Sequence, residues 1–331
     1  MQPLEDMEDE LERYWSPIAH LHAVVNSSEL RSCYQACLPL LSAYASAIGQ
    51  NHELYLAIKS IDQSALTIAE KQCITHKLRD FTLSGVALST KDKQRFEEIE
   101  ARLSELSNKF ENNLLDATEA YTLHITDLTK LSGLPEHTIE HAVQLAKNKH
   151  LDGALLTLDA PCYIAVLTYA HDREIREALY HAYVTRASDI GPFAGKFDNS
   201  DIMHEILMLR REKALLLGFK DYASLSLVTK MAKTPQEVHN FLKELLQRAV
   251  PKAHKDFNEL VDFANKNHQE YKQLHPWDIA YLSEQQKQAC YAFAEETLRE
   301  YFPLSHVLTC MFDTIHTLYG MTVTPLKDVD V

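Results

Sequence analysis

Eight glycines in 331 residues leave few places where the backbone can reverse sharply, since average usage near ~7% would supply roughly 23. A chain so short of turn residues is built from long elements, and long elements with regular apolar spacing are helices. The spacing is present: Leu103, Leu106, Phe110 and Leu114 recur at helical intervals, as do Phe241, Leu242, Leu245 and Leu246. The segment from about Thr90 to about Thr118 holds neither Gly nor Pro and predicts a rod of roughly 40 Å at ~1.5 Å per residue. The expectation is a mainly α fold of amphipathic helices, elongated and not a compact bundle.

Start and stop signals agree with the periodicity. "TPQE" at 234–237 sets Thr234 as N-cap, Pro235 as first helical residue and Glu237 at the capping-box position. Gly85, Gly218 and Gly320 each follow an apolar-periodic run, as a residue able to take positive φ does at a helix end. Two short stretches break the pattern, "AYTLHIT" at 120–126 and "GALLTLD" at 153–159, and predict a small paired β element. "RASDIGPFAGKFDNS" at 186–200 predicts a long ordered loop, with Asn199 or Ser200 capping the next helix. After Gly320, "MTVTPLKDVDV" alternates as a strand does, which divides the chain into a helical portion, 1–320, and the start of a strand, 321–331.

With 33 basic against 47 acidic residues and no basic cluster interleaved with aromatics, nucleic acid and anionic membranes are excluded as partners. The acidic start "MQPLEDMEDELERYW" is no signal peptide, and no apolar run approaches the ~18 residues of a membrane span, so the chain reads as cytoplasmic. Six cysteines without C-x-x-C do not make a disulfide framework, and Cys33 and Cys37, one turn apart, read as small packing residues.

His137-Thr138-Ile139-Glu140-His141 matches the inverted zinc-peptidase pattern H-x-x-E-H. With Pro135 as the first helical residue, His137, Glu140 and His141 share the solvated side, and Ile139, Ala142, Val143 and Ala146 take the apolar one. Zinc ligands must instead converge on a cleft, so the match is an accident. "HELYL" at 52–56 and "HEILM" at 204–208 place Leu56 and Met208 where a second imidazole is needed. "GPFAGK" at 191–196 is one residue short of a phosphate loop and is followed by Phe197. "HPWDIAYL" at 275–282 opens a helix, with Pro276 first and Asp278 favourable to its dipole, and its aromatic and acidic residues could line a ligand groove.

Taken together, "SPIAHLHAVVNSSELR", "LRDFTLSGVAL", "RLSELSNKFENNLLDAT", "YHAYVTRASDIGPFAGKFDNS", "EILMLRREKALLLGF", "KMAKTPQEV", "HPWDIAYLSEQQKQ" and "LREYFPLSHVL" resemble the thimet oligopeptidase and oligopeptidase A family of zinc metallopeptidases, in family order from about Pro3 to Val331. The resemblance implies a neurolysin-like N-terminal lobe of many helices, walling a channel that admits short peptides. It implies zinc in the complete enzyme, bound by H-E-x-x-H and a later glutamate, neither of which occurs in this chain. Local departures are Tyr281-Leu282 for a tyrosine pair and Phe197 for a tryptophan.

The reading is therefore the channel-forming N-terminal part of a zinc-dependent oligopeptidase, inactive alone. No catalytic or metal-binding residue is assigned, and Trp277, Asp278 and Tyr281 are the substrate-channel candidates. Partners are short peptides and the absent catalytic portion. The alternative is a non-catalytic helical module that binds peptides or a partner chain, for example one half of a split enzyme.

Overall fold

Helices account for nearly all the regular structure in the computed structural model, which describes residues 2–25, 27–267, 271–292, 298 and 301–325. From the N-terminus come α1 (Gln2–Val24), α2 (Ser28–Gly49), α3 (His52–Lys59), α4 (Ile68–Leu83) and α5 (Thr90–Ala120). Strand β1 (Thr122–Ile125), a 3-10 turn (Leu128–Leu131), α6 (Glu136–Asn148) and strand β2 (Ala154–Thr157) follow. Then come α7 (Ala160–Tyr169), α8 (Arg173–Val184), α9 (Ser200–Leu216), α10 (Tyr222–Leu227), α11 (Pro235–Asn267), α12 (Pro276–Tyr291) and α13 (Leu304–Tyr319). The chain forms two units, one of residues 1–122 with 181–250 and the other of 123–180 with 251–331, a division inside 1–320 that composition does not mark.

In the first unit the Gly- and Pro-free segment is the strut. Ile99 and Leu106 of α5 bury against Ile202 and Leu209 of α9, with Leu103, Phe110, Ile206 and Leu216 packed alongside. Ion pairs set an antiparallel register. Arg95 grips Glu212 through two bonds of 2.7 and 2.8 Å. One heptad further along α5, Arg102 grips Glu205 one heptad back along α9, at 2.6 and 2.9 Å. These half-exposed pairs add little stability, but a slip of either helix breaks both at once. A second core cluster joins α3 and α4 through Ile58, Ile74, Phe81 and Val86. In that unit α1 lies on α2 through a three-ring stack: Tyr34 sits 4.8 Å from Trp15 on one side and 4.1 Å from His22 on the other.

Helix ends follow the sequence signals with three corrections. Glu237 N–H donates to Thr234 Oγ1 at 3.2 Å, while the Glu237 carboxylate accepts from Lys233 N–H at 2.7 Å, one residue earlier than a standard box. Gly85 and Gly218 take φ of +82° and +81° just past α4 and α9, where Val86 N–H closes on Phe81 O and Phe219 N–H on Ala214 O. Pro135 is the N-cap of α6 and not its first residue, with an extended ψ of 142°. Asn199 is the N-cap of α9, but its side chain does not cap. It is buried and turned onto α5, donating to Phe110 O at 3.1 Å and accepting from Asn113 Nδ2 at 2.8 Å, while Asp198 accepts from Ser200 N–H at 2.8 Å.

In the second unit, β1 and β2 pair as a two-stranded sheet within the expected ranges, and α6 and α7 pack on β2. The core there runs through Leu155, Leu156, Val166 and Leu179. Cys33 is exposed and Cys37 half-buried, both free thiols. Met321 to Pro325 adopt no regular structure, and the rest of the segment expected as a strand, 326–331, lies outside the described residues.

His22 is 6% exposed, and its Nε2 is buried without a hydrogen-bond partner. Burial first, and then the Arg31 guanidinium, hold its imidazole below the ordinary 6.5 against the opposing pull of Glu111. A group with a depressed folded-state pKa that is neutral when folded contributes stability above its unfolded pKa, and loses it as pH falls below that value. The melting midpoint is therefore expected to fall between about pH 7.5 and about pH 5.5, and to fall less in His22→Phe, which keeps the stack but cannot be protonated. An equal fall in both proteins contradicts this assignment.

Candidate functional site

At the start of α8, Asp172 accepts from the Glu174 and Ile175 N–H groups at 2.9 and 3.2 Å, capping the helix and leaving Arg173 and Arg176 one turn apart. Two cations in a first turn oppose the helix dipole, and here a buried carboxylate answers them. "HPWDIAYL" supplies it. Asp278, the third residue of α12, accepts from His275 N–H at 2.9 Å and is fully buried. Arg173 approaches it side-on, Nε to Oδ1 at 2.9 Å and Nη2 to Oδ2 at 2.6 Å.

Arg176 is equally sealed from water, and a guanidinium has five N–H donors to satisfy. All five are used. Nε donates to Trp277 O at 3.1 Å, and Nη1 donates to Ala170 O and His171 O at 2.6 and 3.1 Å. Nη2 donates to Tyr271 Oη at 2.7 Å and to Asp278 Oδ1 at 3.3 Å. Its plane lies 4.2 Å over the Tyr281 ring, against whose edge His171 also packs. Trp277 stacks on His275 at 4.6 Å and meets Tyr180 at a tilt, 5.7 Å away.

The loop that Arg176 holds is pinned from its other side too. His171 N–H donates to Ser132 O at 2.9 Å, and Gly133 at φ +93° approaches so closely that a Cβ there would lie 2.3 Å from Tyr169 O. Burial alone would raise the Asp278 carboxyl. The Arg173 bonds, the His275 N–H and Arg176 outweigh it and hold the group below the usual carboxylate range. Asp278 is thus a permanent anion committed to two cations, with neither a proton to give nor a lone pair free to accept one from substrate. Chemically the cluster is a clamp that joins α8, Tyr271 and the start of α12.

The three residues singled out in the sequence come together here, but at 8%, 0% and 7% exposure for Trp277, Asp278 and Tyr281. Arg173, Arg176 and Tyr271 escaped the sequence reading. For the two arginines the one available signal was "REIREALY", with two cations in a first turn. His137, Glu140 and His141 lie on the exposed side of α6, opposite the buried Ala142 and Ala146, as the periodicity requires. His137 and His141 edge a recess of about 330 Å³ floored by Leu155, Cys162 and Ala165. Burial pushes the Cys162 thiol up, which leaves it a poor nucleophile. Among the described residues no three His, Cys, Asp or Glu side chains are placed to hold one metal ion. A separate cleft of about 700 Å³ runs between α2 and α5, with Gln35, Asn108 and Asn112 along it.

Family comparison gives this scaffold a context. The model of peptidase family M3 matches residues 166–331, and that of the neurolysin/thimet oligopeptidase N-terminal domain matches 1–95. The chain belongs to peptidase family M3. Along its whole length it is 47% identical to oligopeptidase A of Escherichia coli (strain K12), of which the match covers 49%. Identity is also 47% to oligopeptidase A of Haemophilus influenzae, over 99% of this chain and 49% of that protein. The probable cytosolic oligopeptidase A of Arabidopsis thaliana is 36% identical over 99% and 48%. The chain thus spans about half the length of the curated relatives it matches.

Asp278→Asn leaves Arg176 buried with its charge uncompensated and is expected to cost about 3–5 kcal/mol in denaturant unfolding. A depressed carboxylate contributes stability above its unfolded pKa and loses it as pH falls through the folded value, so the gap between the two proteins should narrow below about pH 4. A loss under 1 kcal/mol, or a gap unchanged in acid, contradicts the clamp. His141→Ala is expected to leave bound metal unchanged by elemental analysis. A matching loss of metal and of peptide cleavage would revive the H-x-x-E-H reading.

Proposed function

We propose that this chain is the N-terminal helical half of a zinc-dependent oligopeptidase acting on short peptides in the cytoplasm, supplying scaffold and substrate enclosure but not the chemistry. The observation that carries this is 47% identity along the entire chain to a protein named for oligopeptidase activity, of which it spans about half. Zinc, which supplies a polarised water in such enzymes, is assigned to the other half, because H-E-x-x-H does not occur in this sequence. Trp277, Asp278 and Tyr281 act on the channel from behind, by fixing the entry to α12 against α8. The cytoplasmic assignment is supported by the word "cytosolic" in the name of a relative 36% identical to this chain.

A second reading, a non-catalytic module that binds a partner chain or peptides, is favoured by one feature. Helix α13 has no buried residue, and Phe241, Leu242, Leu245 and Leu246 of α11 are each about half exposed. The two readings are separated by assaying the purified 331-residue chain with zinc supplied and a quenched fluorescent peptide. The expected outcome is no stoichiometric zinc and no turnover. Turnover with zinc bound one to one sinks the first reading, and tight peptide binding without hydrolysis favours the second.

A further inference from the structure

Helix α5 carries two asparagines one turn apart, Asn108 and Asn112, and both line the cleft it forms with α2 in the first unit. Each is more than nine-tenths buried, at 8% and 6% exposure, which is unusual for a polar side chain that serves no cap or turn. Asn108 Oδ1 accepts twice, from Asn112 Nδ2 at 2.9 Å and from Gln35 Nε2 of α2 at 3.3 Å. Asn108 Nδ2 and Asn112 Oδ1 are shut off from bulk water and find no partner among the described residues. Turning both amides over exchanges their roles and still leaves one donor and one acceptor unmet. A buried polar group without a partner destabilises the fold, so this matched donor and acceptor on one helix face calls for an occupant.

Gln35 shows what chemistry the pair takes. It is an exposed side chain, it is held by one long bond, and the group it offers is itself a carboxamide. The charges along the cleft point to a neutral ligand. Three acidic and three basic side chains line it, and five of the six are answered within the protein. Arg31 grips Asp116 at 2.6 and 3.0 Å, Arg102 bonds Glu105 at 2.7 Å, and Glu98 accepts from Arg95 at 3.1 Å, while Lys109 stands exposed. The cleft is also long. From Arg31 to Ser42 it follows α2 for about 16 Å at ~1.5 Å per residue, room for about five residues of extended chain at ~3.3 Å each. An extended residue turns its own N–H and C=O to the same edge, which is how strands bond their neighbours.

We propose that Asn108 and Asn112 form a binding site for the main chain of an extended peptide lying along the α2–α5 cleft, with Gln35 as a cover that the peptide displaces. One peptide residue accepts from the Asn108 amide through its C=O and donates to the Asn112 carbonyl through its N–H, which meets both unmet groups. The site takes peptide bonds without regard to side chain, because nothing but main chain is read. It goes beyond the peptidase reading and does not rest on it, since an amide is held on α5 whether or not any bond is cut. Affinity is set by two hydrogen bonds on an open cleft and is expected in the millimolar range, distinct from the tight binding that marks a dedicated peptide-binding module.

The test is a titration of the 331-residue chain with acetyl-tetra-alanine methylamide, which carries no charge and no polar side chain, followed by NMR of the side-chain amide signals. Saturable shifts are expected in Gln35, Asn108 and Asn112. The analogue built from four lactates, with esters in place of the amides, keeps the carbonyls and loses the N–H donors, and is expected to bind about tenfold more weakly or worse. Gln35→Ala removes the cover and should tighten binding about threefold with the melting midpoint unchanged. Asn112→Leu should abolish the shifts while raising the midpoint by about 2 °C or more, because an unmet buried acceptor is gone. Absence of saturable shifts overturns the proposal and leaves ordered water as the partner of the pair. Equal binding of the lactate analogue overturns it as well, and so does Asn112→Leu protein that folds and binds as before. Propionamide binding as tightly as the tetra-alanine overturns the extended main chain and assigns the site to a lone carboxamide. Should Asn112→Leu fail to fold, the lactate analogue and Gln35→Ala decide, and Gln35→Ala binding more weakly than the parent chain overturns the cover.

Discussion

A guanidinium closed off from water must satisfy five N–H groups and one charge, and the second unit is arranged around Arg176 doing so. Its bonds reach the carbonyls of Ala170 and His171, the Trp277 carbonyl, the Tyr271 hydroxyl and the Asp278 carboxylate, so one side chain ties together segments about a hundred residues apart. Lysine could not replace it, because three donors on a flexible stem cannot reach four directions in a plane. With Arg173 on the other edge of Asp278, the start of α12 is held at a defined place against α8. Buried ion pairs are seldom the most stabilising choice, and their best-attested use is to select one arrangement.

The first unit solves its register differently. Helix α5 is long because nothing in its sequence stops it, and its pairing with α9 is set by apolar rows in the middle and by Arg95 and Arg102 at the edges. Asn199 adds a lock at one end by giving up its capping role to bond α5 instead. Both units therefore complete their own small cores. What neither covers is the apolar stripe at 241–250 of α11 or that of α13, whose large side chains stay exposed.

Much of this was legible in residues alone. Scarce glycine implied helices, the cap signals at Thr234 and Gly218 placed helix ends, and the alternation near 120–126 and 153–159 located the strands. The H-x-x-E-H match could be discounted because periodicity put its histidines on the wet face, where they are. "HPWDIAYL" pointed to the right cluster but not to its meaning. Local pattern reports what a residue is next to in sequence, while Arg173, Arg176 and Tyr271 meet Asp278 across long separations that no periodicity encodes. For the same reason the stripe at Phe241 to Leu246 reads as ordinary core from sequence, since amphipathicity says that a face wants cover and not whether cover is present.

The central claim is that this chain is a folded scaffold whose α13 and whose stretch 239–259 of α11 lie uncovered, and hydrogen exchange along the isolated 331-residue chain tests it most directly. Strong protection is expected in α5, α9, α7 and the first turns of α12, with rapid exchange in α13 and in residues 239–259 of α11, whose backbone bonds have no packed neighbours to hold them closed. Protection of α13 equal to that of α5 would contradict the account, because it would mean that the helix is already buried in the chain as it stands.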